Sequence, residues 1–471
     1  MKIQKIAKLR GYRDVIGREA WLMSLVERTA RDVAALHAIN EMRIPLLERI
    51  DLFARSSGDT TDLVEKQMYV VQRPSESAGE ETMVLRPEGT PGVVRAYLDL
   101  GFGNSQEGQN YQRFFYSGPM LRYERPQKGR YREFWQFGVE IFGRTDPLVD
   151  AELILMIDEL RVALNQRVKE TKAFHIKPEF EIRLVTQLNS LGCADCRPAF
   201  RERLIEFGRS NFERLCVDCK RRLTRNPLRM LDCKIDASWI RSSDAPRSID
   251  FLCQDCKLHH DSVKLFLDNA GVQYEENPWL VRGLDYYTRT VFEVVSNSVG
   301  SQNAVAAGGR YDGLVEALGG AAIPGVGFAV GVDRLVLAIT DAINDYQQDR
   351  ALQPEAPISQ SKSWLGKLVR AIPPHAAIIG MGSAALLDSF LLAYELRAIG
   401  LRVDVMWGIK LRSSLRDAIG TEARFIIIIG QNEVDQKVVQ LREMNNSILG
   451  EPEPVERSEI VQKLADKTSS E

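Results

Sequence analysis

Apolar residues recur at helical spacing from Arg18 to Asn40, where Trp21, Leu22, Leu25, Val26, Val33 and Leu36 form one stripe. That pattern predicts a long amphipathic helix. A second long helix is expected from Asp150, which would cap it, with Leu153, Ile154, Ile157, Leu160 and Leu164 turned inward. Up to Gly143, and again from Leu280 to Ile339, the apolar runs are short and broken by glycine and proline, as in strands. Along one of them Gln136, Gly138 and Glu140 fall on one face and Trp135, Phe137, Val139 and Ile141 on the other. In another, Gly325, Gly327 and Ala329 make a face of small residues with room for a planar ring. Gly331 then opens a helix bearing Arg334. Residues 341–374 are polar and aperiodic, which is linker composition. Beyond them AAIIGMG, LRVDVMW and FIIIIG alternate with helical stretches, so residues 375–471 predict a small α/β domain. The segment 193–265 interrupts the strand-rich part and holds all 7 cysteines, which marks it as an insertion in a larger domain, 1–340.

The length of 471 residues fits about three domains. Lys+Arg is 62 against Asp+Glu 64, and the isoelectric point near 6.3 excludes a globally basic nucleic-acid binder. It leaves room for a locally basic groove. The purest apolar run, Phe425 to Ile429, falls far short of the roughly 18 residues that span a membrane. The N-terminal stretch has no apolar h-region, so a cytoplasmic protein is expected. In that compartment the cysteines would not be a disulfide framework.

Five stretches carry polar residues in arrangements that suit chemistry. In VLRPEGTPGVVRAY, Pro87 and Gly89 bracket Glu88 ahead of Thr90. A carboxylate held on such a turn suits an ammonium or imidazolium group, although, for this stretch alone, a helix-entry turn with Thr90 as N-cap is the better account. In LRYERPQKGRYREFWQFGVEIF, Arg122, Arg125, Lys128, Arg130 and Arg132 surround a turn at Pro126 and Gly129. That basic hairpin suits polyphosphate or nucleic-acid backbone. LVRGLDYYTRTVFEVV sets Arg282, Asp285, Tyr286 and Tyr287 before a β-rich run. AAGGRYDGL offers paired glycines for close backbone approach. GVGFAVGVDRL joins the glycine strand to a helix start with an arginine, which favours phosphate. Each alone is also explained by ordinary packing.

Their order along the chain closely resembles the histidyl-tRNA synthetases, a family of class II aminoacyl-tRNA synthetases. LRGYRD fits too, and EMRIPLLERIDLFARSSGDTTDLVEKQMY looks like the family's dimer-forming motif 1. The resemblance implies an α+β fold. Its parts are an antiparallel sheet flanked by helices, the small insertion, a linker over 341–374 and a C-terminal α/β anticodon-binding domain. It implies a homodimer that uses ATP with Mg²⁺ to activate L-histidine and passes the histidyl group to tRNA(His). By similarity Glu88, Gly89, Thr90 and Gln136 would hold the α-amino end of histidine. Glu140, Tyr286 and Tyr287 would read the imidazole. Arg122 and Arg282 would act on the α-phosphate as the catalytic cations. Arg130, Tyr131, Phe134 and Arg334 would complete the ATP site, with Arg125, Gln127 and Lys128 near the tRNA. Gly420 is expected to interrupt the helix before FIIIIG. Two rivals stand beside this reading: a silent paralogue regulating ATP phosphoribosyltransferase in histidine biosynthesis, and a tRNA-sensing module without ligase activity. Arg282 and the C-terminal domain oppose the first, and the intact set of charged residues opposes the second.

Cys193 and Cys196 are spaced CxxC, as are Cys216 and Cys219, with 19 residues between the pairs. That pattern fits a structural Zn²⁺ held by four thiolates. Cys253 and Cys256 form a third pair able to replace one of these, and Cys233 stands alone. Free cysteines packed in a helical insertion are the alternative. A zinc-held insertion is expected to matter for tRNA charging more than for adenylation.

Overall fold

The protein, analysed as a computed structural model, is described over residues 6–57, 63–72, 82–103, 111–171, 176, 179–282, 284, 286–296, 303–351, 373–408, 411–445 and 448–469. It divides into two compact units, Leu22–Gln360 with Met1–Val15, and Ser361–Glu471 with Ile16–Trp21.

The larger unit is built on an 8-stranded sheet. Its order is Asn40–Glu41, Gln112–Leu121, Glu133–Phe142, Gly325–Gly331, Ala304–Arg310, Thr288–Val295, Val185–Ser190 and Tyr274–Glu276. The six inner strands pair antiparallel, and only the short strands at the two edges pair parallel. The alternation in Glu133–Phe142 is realised in register: Gly138 lies opposite Tyr116 on one side and Ala329 on the other, and Glu140 lies opposite Gly327. Three short strands, Leu47–Arg49, Met83–Leu85 and Tyr69–Val71, make a separate small sheet.

The helix Gly17–Leu36 buries Leu22, Leu25, Val26 and Val33, four of the residues in its predicted stripe. The second long helix spans Pro147–Glu170, with Asp146 rather than Asp150 before its first turn. Asp150 does not cap it. Its side chain is fully buried and accepts from Arg310 Nε at 3.1 Å and Nη2 at 2.5 Å. A carboxylate that far inside cannot serve a helix end open to solvent, and the arginine it faces supplies the required counter-charge. The helix Val332–Ala351 continues well into the stretch read as linker, and 352–372 lies outside the described residues.

The smaller unit alternates strand and helix as its pattern predicts. Ala376–Met381 pairs parallel with Val403–Gly408 and Phe425–Ile429, and Val438–Asn445 adds antiparallel. Phe425–Ile429 is buried at every position, so its run of apolar residues serves both faces of the sheet. Gly420 terminates the helix Leu411–Ile419 and does not interrupt it. Among the described residues no helix is long and apolar enough to cross a membrane.

Candidate active site

The polar face of Glu133–Phe142 opens toward the start of the helix Thr90–Asp99 and the Tyr286–Tyr287 loop. Glu140 is fully buried, and both its oxygens are engaged: Thr90 Oγ1 donates to Oε1 at 2.6 Å and Tyr311 OH to Oε2 at 2.5 Å. Burial pushes its carboxyl up to about 8; Thr90 and Tyr311 pull the other way, and Glu88 adds to the rise. Tyr286 OH donates to Glu88 Oε2 at 3.3 Å, and the Tyr286 ring sits 4.7 Å from Tyr287 and 5.9 Å from Tyr311. Thr90 therefore spends its hydroxyl on Glu140 and not on capping its own helix, whose N-cap is Gly89. Gln136 Oε1 is buried and has no donor among the described residues. Two carboxylates, a bare amide oxygen and three tyrosines thus converge, so the site accepts N–H groups and has few cations of its own.

The glycine strand serves this pocket in an unexpected way. A Cβ on Gly327 would overlap Glu140 Oε2, and one on Gly325 would overlap the Tyr311 ring. The small face makes room for the protein's own Glu140 and Tyr311, and not directly for a ligand ring. Gly327→Ala is accordingly expected to destabilise the fold by about 1–3 kcal/mol, because Glu140 is pinned by two donors and cannot step aside. Denaturant unfolding measures this; a midpoint equal to that of the parent would show that the carboxylate moves freely.

A cluster of cations lies beside the pocket. Arg122 Nε donates to the Pro87 carbonyl at 2.8 Å, and its guanidinium sits 5.3 Å from the Phe134 ring. Arg130 pairs with Glu124 at 2.9 Å. Arg334 donates to the carbonyls of Gly129 at 3.1 Å and Ala304 at 2.9 Å. Burial, then Arg130 and Arg122, lower Arg334 to about 10. A cation depressed by its neighbours in this way gains from an anion placed beside it. Arg282 Nη1 meets Glu293 Oε1 at 2.8 Å; burial opposes its charge, but Glu293 and Tyr287 outweigh burial and raise it.

The other predicted residues lie where the hairpin leaves them. Gln127 and Arg130 exchange backbone hydrogen bonds around Gly129, whose φ of 73° closes the turn. Arg125, Gln127 and Lys128 are exposed at its tip, where Lys128 meets Asp341 at 3.0 Å. Tyr131 lies under Arg13, 3.9 Å from its guanidinium. Asp285 lies outside the described residues. Tyr311, Glu293 and Arg13 escaped the sequence reading. Tyr311 stood in AAGGRYDGL, where the glycines drew attention and the aromatic after them did not. The cysteine set also changes. Cys193 and Cys196 meet Cys253 and Cys256, while Cys216 and Cys219 meet Cys233 and Asp236. The pairs 193/196 and 216/219 do not come together, because the chain returns at Cys253 and Cys256 to meet the first and the turn at Cys233 to Asp236 meets the second.

The sequence profile for histidyl-tRNA synthetase matches residues 11–171 and 245–335, more than half of the chain. The chain belongs to the histidyl-tRNA synthetase family. An anticodon-binding domain profile matches 375–467 of this synthetase-family chain. Among curated relatives, the histidine–tRNA ligase of Syntrophotalea carbinolica is 38% identical over 98% of the chain and 99% of its own length. That of Trichlorobacter lovleyi is 41% identical over 91% of each. The apo crystal structure of histidyl-tRNA synthetase from S. aureus superposes with a TM-score of 0.68 at 29% identity, covering 98% of this chain and 100% of that one. The family profile skips 172–244, the stretch that holds five of the seven cysteines.

Proposed function

We infer that this member of the family is a histidine–tRNA ligase: it activates L-histidine with ATP to histidyl-adenylate and pyrophosphate, then transfers histidine to tRNA(His). Curated ligases matching end to end support the activity. The observation that carries the amino acid is the buried Glu140, held by Thr90 and Tyr311 and facing Glu88 and Tyr286. Such a pocket rejects apolar amino acids, since they would leave its polar groups unpaired. Histidine-dependent ATP–pyrophosphate exchange, followed by charging of tRNA(His), tests the reading; exchange with another amino acid and not histidine would overturn it.

The roles follow from the chemistry of each group. Glu88 takes the α-ammonium, with Gly89, Thr90 and Gln136 around it, and the unpartnered Gln136 oxygen supports this. Glu140 accepts from the imidazole, with Tyr286 and Tyr287 lining the ring. The histidine carboxylate attacks the α-phosphorus in line and pyrophosphate leaves. Arg122 and Arg282 stabilise charge building on that phosphorus, and Arg130 and Arg334 hold the departing phosphates. Phe134 stacks on adenine, and Tyr131 completes that wall. Mg²⁺ bound with ATP would supply further neutralisation of the departing pyrophosphate, beside Arg130 and Arg334. The tRNA's terminal ribose hydroxyl then displaces AMP. Little acid–base work is asked of the protein, so positioning and cation clamping supply most of the rate.

Motif 1 supports a homodimer, and the class of enzyme supports a cytoplasmic location. The regulatory alternative is disfavoured because Arg282 is in place and a C-terminal unit with the anticodon-binding profile follows. Exposed Arg125, Gln127 and Lys128 are assigned to the tRNA acceptor end. Replacing Arg125 and Lys128 together by alanine should lower aminoacylation several-fold while exchange stays near the parent rate. Equal loss in both assays would place the turn on ATP alone. A structural zinc in the cysteine-containing insertion is also proposed.

A further inference from the structure

The insertion brings its seven cysteines together in two groups. Cys193, Cys196, Cys253 and Cys256 form one, and Cys216, Cys219, Cys233 and Asp236 the other; within each, the ligand atoms lie within 4.8 Å of one another. In the first group the Cys193 sulfur is 3.6 Å from that of Cys196 and 4.0 Å from that of Cys253. In the second, Cys216 and Cys233 are 3.7 Å apart. A disulfide needs about 2.0 Å, so these are not bonded pairs. Tetrahedral zinc with bonds of about 2.3 Å would set its sulfurs about 3.8 Å apart, which is the spacing seen.

The surroundings are those of metal ligands. Cys253 N donates to the Cys196 sulfur at 3.1 Å, Cys219 N to Cys216 at 3.5 Å and Asp236 N to Cys233 at 3.5 Å. Backbone N–H groups aimed at sulfur stabilise thiolate and orient it toward a metal. Asp236 is nearly fully buried among three thiols. Among the described residues it has no ion pair; Cys216 N at 2.9 Å and Trp239 Nε1 at 3.3 Å donate to its oxygens, and the Cys216 and Cys219 side chains face it. A buried carboxylate normally requires a positive partner. A divalent cation bound by the neighbouring sulfurs is the partner that this geometry admits. The sulfurs stand too close to enclose an iron–sulfur cluster, so a single ion is indicated at each group.

We propose that the chain binds two structural zinc ions. One is held by Cys193, Cys196, Cys253 and Cys256, and the other by Cys216, Cys219, Cys233 and Asp236. The first joins the two ends of the insertion: Cys196 precedes the helix Arg197–Ser210 and Cys253 precedes Gln254–Asn269. It thereby closes the insertion at its base, beside Leu191 and Gly192, which pair with the backbone of Arg289 at 2.7 and 2.9 Å. The second fixes the Val217–Arg225 helix and the turn after it. Arg229 in that turn reaches the Arg282 carbonyl at 3.5 Å, and the same core packs Cys219 and Cys233 with Leu280, Val281 and Tyr287. The insertion is therefore continuous with the wall of the histidine pocket. Loss of the second ion is therefore expected to reach the histidine pocket to some degree, beside its larger effect on tRNA charging.

Elemental analysis of the full-length chain, purified without chelator and dialysed against reductant, tests the assignment independently of activity. Two zinc per chain are expected, falling to one in Cys256→Ser, one in Cys219→Ser and none in the double variant. Asp236→Cys should keep two zinc, because a fourth thiolate replaces the carboxylate. If a serine variant fails to fold, Co²⁺ titration of the metal-stripped parent decides. Thiolate-to-cobalt absorption should saturate at two equivalents. Less than one zinc per chain, iron in its place, or cobalt saturation at one equivalent or without thiolate absorption would overturn the two-site assignment.

Discussion

Arg282→Ala should lower histidine-dependent ATP–pyrophosphate exchange by roughly 10²–10³-fold while leaving histidine binding nearly unchanged. The magnitude is that of one preorganised charge donor lost from a developing oxyanion, roughly 3–4 kcal/mol. The guanidinium is aligned by Glu293 at 2.8 Å, so in the proposed role it would enter the reaction without reorganising. Because the interaction strengthens as charge builds on phosphorus, its loss falls on kcat more than on the histidine KM. The variant also leaves Glu293 without its cation, and the Glu293→Gln, Arg282→Ala double variant separates that effect from the lost charge at phosphorus. Recovery of exchange in the double variant would mean that the unpaired carboxylate, and not the missing arginine, caused the defect. Exchange near the parent rate in the single variant would remove Arg282 from the chemistry.

The parts of the fold that sequence pattern revealed are those where one physical demand dominates. Phe425–Ile429 is buried on both faces and reads as an uninterrupted apolar run. Gln136, Gly138 and Glu140 alternate with apolar neighbours because one side of their strand is a pocket. Residues that answer to distant partners were opaque. Asp150 looks like a helix cap until Arg310, 160 positions on, closes upon it. Tyr311 cannot be assigned to Glu140 without the crossing of strands that places Gly325 and Gly327 beside them. The cysteines show the same limit. Spacing along the chain pointed to a metal site, but the return of the chain at Cys253 and the aspartate at 236 decide which side chains meet. CxxD carries no signal in a sequence scanned for cysteine and histidine.

Glu140→Gln should raise the histidine KM by roughly 10- to 100-fold, since a hydrogen bond to a charged group is worth about 1.5–3 kcal/mol. Glutamine keeps the shape and one acceptor but cannot carry the charge that complements an imidazole N–H. The same substitution gives a second, ligand-free readout. The carboxyl has an ordinary value of 4.5 and is pushed up to about 8 in the folded chain by burial. Between those values the folded chain holds a proton that the unfolded chain has released. Its contribution to stability therefore declines as pH rises through that window. Glutamine does not titrate, so the variant should gain stability relative to the parent from pH 5 toward pH 8. Saturating histidine should narrow that gain, because the ligand adds a further donor to the ionised carboxylate. Denaturant midpoints across that pH range, with and without histidine, measure both effects. A pH-independent difference would show that Glu140 is ionised in the free enzyme, and an unchanged histidine KM would take it out of imidazole recognition.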